Sequence, residues 1–235
     1  DSTTLLTGFT LTRGTTGLEG GGGMRIDDNT SPIISNVRIT DNSCFKAGGV
    51  LIWNNASPTF IDVVIDGNSS TTYGGGGVVC ASSSTPTFIN TQIINNTVTG
   101  WNMSGGGMQI YQDAQVTMVN CLIANNTSGG DGDGISSANS ATINLINSTI
   151  VNNDGHGIYN YPSSESVIHM TNTIVWGNPI EADEGSVTAI YSGIEGGWDG
   201  EGNISLYPKF CDLDVGDYSL AEDSPCLGTG QDGAN

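Results

Sequence analysis

Charged side chains are scarce in this sequence, and positive charges are the scarcest. Only 12% of its 235 residues are charged, and five Lys and Arg stand against 24 Asp and Glu, which gives a net charge of −19. Nucleic acids and anionic membranes bind clusters of Lys and Arg, so neither is expected as a partner. There is also no apolar run of roughly 18 residues or more, so insertion into a membrane is not expected.

The chain also lacks the cysteine density of a disulfide-stabilised scaffold, since it has five Cys in all. Cys211 and Cys226 lie in an irregular C-terminal region, and we expect these two to form a disulfide. Cys80 and Cys121 fall on inward positions of the repeat described below, and Cys44 is left without an assignment. A single disulfide suits a secreted or cell-surface protein.

The first residues have neither the basic nor the apolar region of a signal peptide. Residues 1 to 14 instead match part of an internal repeat, so we expect the chain to be a fragment of a longer precursor. Glycine is abundant, with 35 residues, and Ser, Thr and Asn accompany it. This composition predicts many tight turns, because Gly and Asn accept positive φ and Ser and Thr satisfy turn backbone.

Most of the chain consists of a repeat of roughly 23 to 30 residues. Each unit closes on an asparagine, with an apolar residue three positions earlier and another one eight positions earlier. The closing residues are Gly14 in the first, partial unit and then Asn42, Asn68, Asn96, Asn126, Asn153 and Asn178. These asparagines are expected to form hydrogen-bonded amide ladders between stacked units.

A second strand in each unit begins at a glycine followed by an apolar residue. These pairs are Gly23-Met24, Gly49-Val50, Gly77-Val78, Gly107-Met108, Gly134-Ile135 and Gly157-Ile158. The alternation predicts short strands separated by polar turns, and one unit cannot bury its apolar row without neighbours stacked on it. The predicted fold is therefore all-β, a right-handed parallel β-helix of about seven coils with an irregular C-terminal cap.

The repeat loses its register at Pro179. We therefore divide the chain into a β-helix over residues 1–178 and a C-terminal part over residues 179–235, which holds a degenerate last coil and an acidic cap. Twelve of the 24 acidic residues follow Asn178. A cap is expected because exposed strand edges invite end-to-end association.

The glycine-apolar and Ile-x-x-Asn pairs resemble the repeats of chlamydial polymorphic outer-membrane proteins, with Ile in place of their Phe. The chain is also similar to bacterial β-helix proteins of the pectate-lyase-like superfamily. These resemblances imply the fold and a secreted or cell-surface location. The segment over residues 191–198 is similar to the end of the helix in large secreted bacterial proteins, in which a sorting or anchoring domain commonly follows.

The second resemblance raises the possibility of a polysaccharide lyase or hydrolase. A lyase needs a basic residue to abstract a proton, and Arg25, Arg38 and Lys46 are available in the helix, but no acidic calcium cluster adjoins them in sequence. Gly155-His156-Gly157 resembles a motif of pectin hydrolases, whose Arg-Ile-Lys is absent here. His156 is therefore expected to be a turn residue, and the balance is against an enzyme.

Large aromatic residues lie on an outward row of the predicted second strand. Trp53, Tyr111 and Tyr161 are expected in alternate coils about 10 Å apart, with Tyr159 beside Tyr161. Aromatic rings at regular spacing can stack on sugar rings or anchor a protein partner. These four residues are therefore our candidate carbohydrate-binding residues; alternatively, the rings cover neighbouring coils or lie under loops.

A second outward stripe is apolar and predicts packing against another chain, by self-assembly for example, or against a neighbouring domain. It consists of Val64, Ile94, Leu122, Val151, Ile174 and Trp176.

Asp131 and Asp133 alternate with glycines in a predicted turn, and such carboxylates can supply oxygen ligands to calcium. We therefore take them as candidate calcium ligands, and calcium as the only expected cofactor. The distant Glu of a full calcium loop is missing, so a solvated turn is the alternative.

The sequence as a whole predicts a non-enzymatic extracellular or cell-surface solenoid that serves as an adhesive stalk, a spacer or a subunit of an assembly. A glycan or protein partner is expected on its outer face. The alternative is a carbohydrate-binding or polysaccharide-cleaving β-helix.

Overall fold

The computed structural model describes residues 4–100, 103–183 and 185–233, and it shows a parallel β-solenoid. Each turn of the chain contributes one short strand to each of three long sheets, which we name A, B and D. A shorter sheet C lies between B and D in the early turns. The predicted fold class is confirmed: about six regular turns are followed by shorter ones, and the last strands of sheets B and D have two residues each.

The strands follow one another in the order A, B, C, D along the chain. Sheet A contains Leu5–Thr7, Ile33–Ser35, Thr59–Ile61, Thr87–Ile89, Gln115–Val119, Thr142–Ile146, Val167–Thr171 and Val187–Ile190. Sheet B contains Thr10–Thr12, Arg38–Thr40, Val64–Asp66, Gln92–Ile94, Leu122–Ala124, Thr149–Val151, Ile174–Trp176 and Gly193–Ile194. Sheet C contains Thr15–Thr16, Ser43–Cys44, Ser69–Ser70 and Thr97–Val98. Sheet D contains Met24–Ile26, Val50–Ile52, Val78–Cys80, Met108–Ile110, Ile135–Ser137, Ile158–Asn160 and Ile180–Glu181.

The core is a set of inward rows in which equivalent residues of successive turns stack. Phe60 lies in register with Phe88 and Phe88 with Met118 in sheet A. All three are fully buried, and the two phenyl rings stack with centroids 4.8 Å apart. Cys80 and Cys121 are buried in the same core, as expected from their inward positions.

The asparagine ladder is continuous and buried from Asn42 to Asn178. At its middle, the side-chain amide of Asn96 donates to the carbonyl oxygen of Ile65 (3.0 Å) and to Oδ1 of Asn126 (3.1 Å). Oδ1 of Asn96 accepts from the backbone N–H and the side-chain amide of Asn68, at 2.9 and 3.0 Å. The ladder therefore satisfies backbone groups that turn away from the sheets and would otherwise be unpaired in the interior.

The turn between sheets A and B requires a left-handed backbone in every coil. The residue at this place is Gly8 in the first coil, then Asn36, Asp62, Asn90, Asn120, Asn147 and Asn172, and Tyr191 in the last, and each has a positive φ. Gly, Asn and Asp are the residues that adopt this conformation at least cost, which explains their recurrence. A different constraint acts before sheet D, where a Cβ added to Gly77 would lie 2.7 Å from the carbonyl oxygen of Gly107.

The C-terminal segment closes the end of the solenoid and then turns back along its side. Trp198 packs against the last coil of the core, and Ile204 forms a parallel bridge with Gly193. An antiparallel hairpin of Phe210–Asp212 and Asp217–Leu220 follows, with a 3-10 turn at Leu213–Val215 between its strands. A second 3-10 turn, Gln231–Gly233, ends the described chain.

The hairpin covers most of the second outward stripe. Phe210, Leu213, Tyr218 and Leu220 form an apolar cluster with the outer side of sheet B, whose members are Ile94, Leu122, Ala124, Val151, Ile174 and Trp176. The hydroxyl of Tyr218 also bonds Oδ1 of Asn125 at 2.9 Å. The chain's own C-terminal segment, rather than another chain or domain, therefore occupies most of this stripe. Self-assembly and a partner elsewhere on the outer face stay predictions.

The disulfide expected between Cys211 and Cys226 is not formed, and all five cysteines, which lie within the described residues, are free thiols. Cys211 is exposed on the first hairpin strand, whereas Cys226 is buried against Gly193 at the solenoid end. Alternation along the strand turns Phe210 toward sheet B and Cys211 away from it. No helix in the described ranges is long and apolar enough to span a membrane.

Candidate functional site

The outer side of sheet D carries its own small apolar cluster. Leu51 and Val79 point away from the core, yet they are buried together with Ala47 and Ala81. The rings of Trp53 and Tyr111 pack over this cluster and meet edge to face, with centroids 6.1 Å apart. The two rings are thus in contact, rather than 10 Å apart, because they lean toward each other over the small Ala81.

Lys46 is the charged residue of this cluster. Its Nζ lies 3.6 Å from the centroid of the Trp53 ring and 5.4 Å from that of Tyr111, which is a cation–π arrangement. Burial, together with the positive charge of Arg25, lowers the pKa of Lys46 to about 8. Burial likewise raises the pKa of Tyr111 to about 12, so its hydroxyl remains a neutral donor.

An open groove of about 680 Å³ runs beside these rings. Its walls include Leu18, Lys46, Tyr73, Met103, Tyr111 and Tyr161. Leu18 and Tyr73 are mostly exposed, at 81% and 55%, so apolar and aromatic surface faces solvent here. None of the described residues that line the groove is Asp or Glu, although the chain as a whole carries 24 of them.

Of the other two predicted aromatic residues, Tyr161 lies at the groove and Tyr159 packs against it. Tyr161 lines the groove, and its hydroxyl lies 2.6 Å from Oγ of Ser104, which fixes the ring. Tyr159 meets Tyr161 edge to face with centroids 4.9 Å apart. The structure therefore gathers Trp53, Tyr111, Tyr159 and Tyr161 on the outer side of sheet D, with two of them in the groove itself.

His156, which the sequence predicts to be only a turn residue, contacts two acidic side chains and an aromatic ring. Its Nε2 lies 3.0 Å from Glu181, its Nδ1 lies 3.8 Å from Asp131, and its ring packs against Tyr159. Asp131, His156 and Glu181 follow one another at intervals of 25 residues. That regular spacing matches one coil of the repeat and is the signal that could have revealed the cluster.

The two candidate calcium ligands, Asp133 and Asp131, contact different residues. Asp133 is buried, and its Oδ1 accepts hydrogen bonds from the N–H and the hydroxyl of Ser128, at 2.5 and 3.0 Å. Burial, as the largest cause, raises the pKa of Asp133. Asp131 is half-exposed and faces His156. Within the described ranges no group of three or more His, Cys, Asp or Glu is arranged to hold a metal, and calcium at this turn stays a prediction.

The basic residues considered for proton abstraction differ in their partners. Arg25 pairs with Glu19 and Asp27, and Arg38 pairs with Asp66. Lys46 forms no ion pair with any described residue. Its place over the rings depends on the path of the loop that follows sheet C, and the repeat pattern does not specify that path.

Comparison with known proteins bears on the fold. A family model described as a right handed beta helix region matches residues 2–175. No curated protein and no solved structure shows significant similarity to the chain. The match supports a β-helix repeat protein; the narrower resemblances, to the chlamydial repeats and to the pectate-lyase-like superfamily, are not confirmed.

Proposed function

The chain belongs to the right-handed β-helix family, and we propose that it is a non-enzymatic extracellular or cell-surface solenoid that binds a saccharide in the groove outside sheet D. The observation that carries this proposal is the row of aromatic rings in and beside the groove. Tyr111 and Tyr161 line the groove, and Trp53 packs against Tyr111 beside it, with Lys46 over both rings. Ring faces fixed by packing stack on sugar rings with little loss of side-chain entropy.

The composition of the groove supports binding more than hydrolysis. Glycoside hydrolysis uses a pair of carboxyl groups on either side of the scissile bond, and no described residue that lines this groove is a carboxylate. The amides of Gln109 and Asn139 and the hydroxyl of Tyr161 are available to bond sugar hydroxyls. A rigid rod that displays such a groove suits an adhesive stalk.

Glycan-array binding tests the proposal through two variants, Trp53→Ala and Tyr111→Ala. Each variant removes one ring of the contacting pair, and we expect the affinity for the bound glycan to fall about 10-fold or more. Tyr207→Ala is the matched control, because Tyr207 is a half-exposed aromatic residue outside the groove. Thermal unfolding of all three variants shows whether each remains folded.

Unchanged glycan affinity in both folded ring variants, Trp53→Ala and Tyr111→Ala, would remove these rings from the proposal. If a ring deletion also lowers the unfolding temperature, Lys46→Met supplies a second test. Met retains the apolar contact with the rings and loses the charge.

One observation favours a second candidate function, a polysaccharide lyase. Lys46 is half-buried, and its lowered pKa of about 8 suits a general base better than that of an ordinary lysine. A lyase would release unsaturated, ultraviolet-absorbing products from pectate, alginate or glycosaminoglycans, and Lys46→Met would abolish their release. Binding without such products in the wild-type protein would leave only the non-enzymatic function.

A further inference from the structure

The two lysines of the chain, Lys46 and Lys209, lie in different surroundings. Lys209 is exposed and pairs with Asp223, with 2.6 Å between Nζ and Oδ2. Lys46 is half-buried, lines the groove outside sheet D and pairs with no carboxylate among the described residues. No counter-ion therefore holds the amine of Lys46 in its charged form.

The amine of Lys46 is available as a nucleophile near neutral pH. Burial, together with the positive charge of Arg25, lowers its pKa to about 8. Desolvation and a neighbouring cation are the two means by which proteins make a lysine nucleophilic. At pH 7.5 roughly a quarter of amines with this pKa are uncharged, compared with about 0.1% of ordinary lysine amines.

The rings next to Lys46 suit the cation that an amine forms with a carbonyl compound. Nζ lies 3.6 Å from the centroid of the Trp53 ring and 5.4 Å from that of Tyr111. A protonated imine carries its positive charge at this same nitrogen atom, and ring faces that stabilise an ammonium group also stabilise that cation. Imine formation at Lys46 therefore retains the cation–π contacts.

The groove has the size and the lining for a small carbonyl compound. Its volume is about 680 Å³, and Leu18, Tyr73, Tyr111 and Tyr161 supply apolar and aromatic surface. None of the lining residues that the structure describes is Asp or Glu, so no carboxylate of the lining competes for the amine. Such a lining favours a neutral ligand with an aromatic or aliphatic body.

We propose that Lys46 is the nucleophile of a covalent binding site, at which it captures an aromatic or aliphatic aldehyde from the groove as an imine. Nζ adds to the carbonyl carbon, and a proton moves from Nζ to the carbonyl oxygen to give a carbinolamine. Loss of water then leaves the C=N bond, whose nitrogen takes up a proton from solvent. The reaction needs no oxidant or reductant, and hydrolysis reverses it. This inference goes beyond the proposed saccharide binding and does not rest on it.

Reductive labelling of the whole chain with benzaldehyde and cyanoborohydride tests the inference, because cyanoborohydride converts the protonated imine into a stable secondary amine. Peptide mass mapping assigns each label to Lys46, to Lys209 or to the N-terminal amine. At pH 7.5 we expect Lys46 to be labelled 10-fold or more faster than Lys209. Asp223→Ala is the matched control, because it frees Lys209 from its ion pair and leaves an ordinary exposed lysine.

Two results would overturn the inference: no label at Lys46, or equal labelling of Lys46 and Lys209 in the Asp223→Ala chain. Trp53→Ala exposes Nζ to water, and we expect labelling of Lys46 to slow toward the rate of Lys209. An unchanged rate in this variant, if folded, would also count against the inference.

A further variant distinguishes this inference from the proposed function. Lys46→Arg keeps a positive charge beside the rings but forms no imine, so we expect it to retain glycan binding and to carry no label at residue 46. Labelling of Lys46 in a wild-type chain that binds no glycan would contradict the proposed function alone. Glycan binding by a wild-type chain without that label would contradict only the covalent site.

Discussion

Asn96→Ala is expected to lower the free energy of unfolding of the solenoid by about 3 to 5 kcal/mol, although the substitution removes little apolar contact. The substitution deletes the four side-chain hydrogen bonds that Asn96 makes to Ile65, Asn68 and Asn126. It leaves the N–H of Asn68 and the carbonyl of Ile65 without these partners in the interior. Each unsatisfied buried group costs about 1 to 3 kcal/mol. Urea unfolding followed by circular dichroism measures the loss.

Asn95→Gly is the matched control for that experiment. Asn95 is the preceding residue, is exposed and has a positive φ of 56°, which glycine adopts readily. Its side chain makes one exposed hydrogen bond, to Asp66. We expect a change of less than about 1 kcal/mol for this variant. If the two variants unfold at the same urea concentration, the hydrogen bonds of the asparagine ladder do not stabilise the solenoid.

The solenoid could be predicted from the sequence because each coil repeats the same local stereochemistry. Asn90 and Asn120 recur at one turn because it needs a left-handed backbone, and Gly77 and Gly107 recur where successive coils come too close for a Cβ. Inward apolar residues recur because stacking alone buries them. These constraints act between one coil and the next, so the residues that satisfy them recur in the sequence once per coil.

The candidate site could be predicted only in part, because its surroundings are not periodic. The alternation of sheet D placed Trp53 and Tyr111 outside. It did not reveal that Lys46 would lie over them, since that depends on a loop whose length changes between coils. The Cys211–Cys226 pairing failed for a similar reason: without a repeat, nothing in the sequence showed that the hairpin would place Cys211 in solvent.

Deletion of residues 207–235 is expected to turn the protein into a concentration-dependent aggregate. The deletion uncovers Ile94, Leu122, Val151, Ile174 and Trp176 on the outer side of sheet B. Exposed apolar surface on a flat sheet is a strong site of association. We expect increased binding of a hydrophobic dye and a scattering mass well above that of the full chain, while circular dichroism still shows β-structure because the core rows remain stacked.

A point variant tests whether release of the hairpin from sheet B is enough to expose the surface, without deletion of the whole C-terminal segment. Phe210 is 7% exposed and meets the rings of Tyr207 and Tyr218, so Phe210→Asp should release the hairpin from sheet B and reproduce the dye binding. Val215→Asp lies in the same hairpin at 76% exposure and should leave dye binding and mass unchanged. A truncated chain that has the same mass and dye binding as the full chain would show that the hairpin is dispensable as a cover.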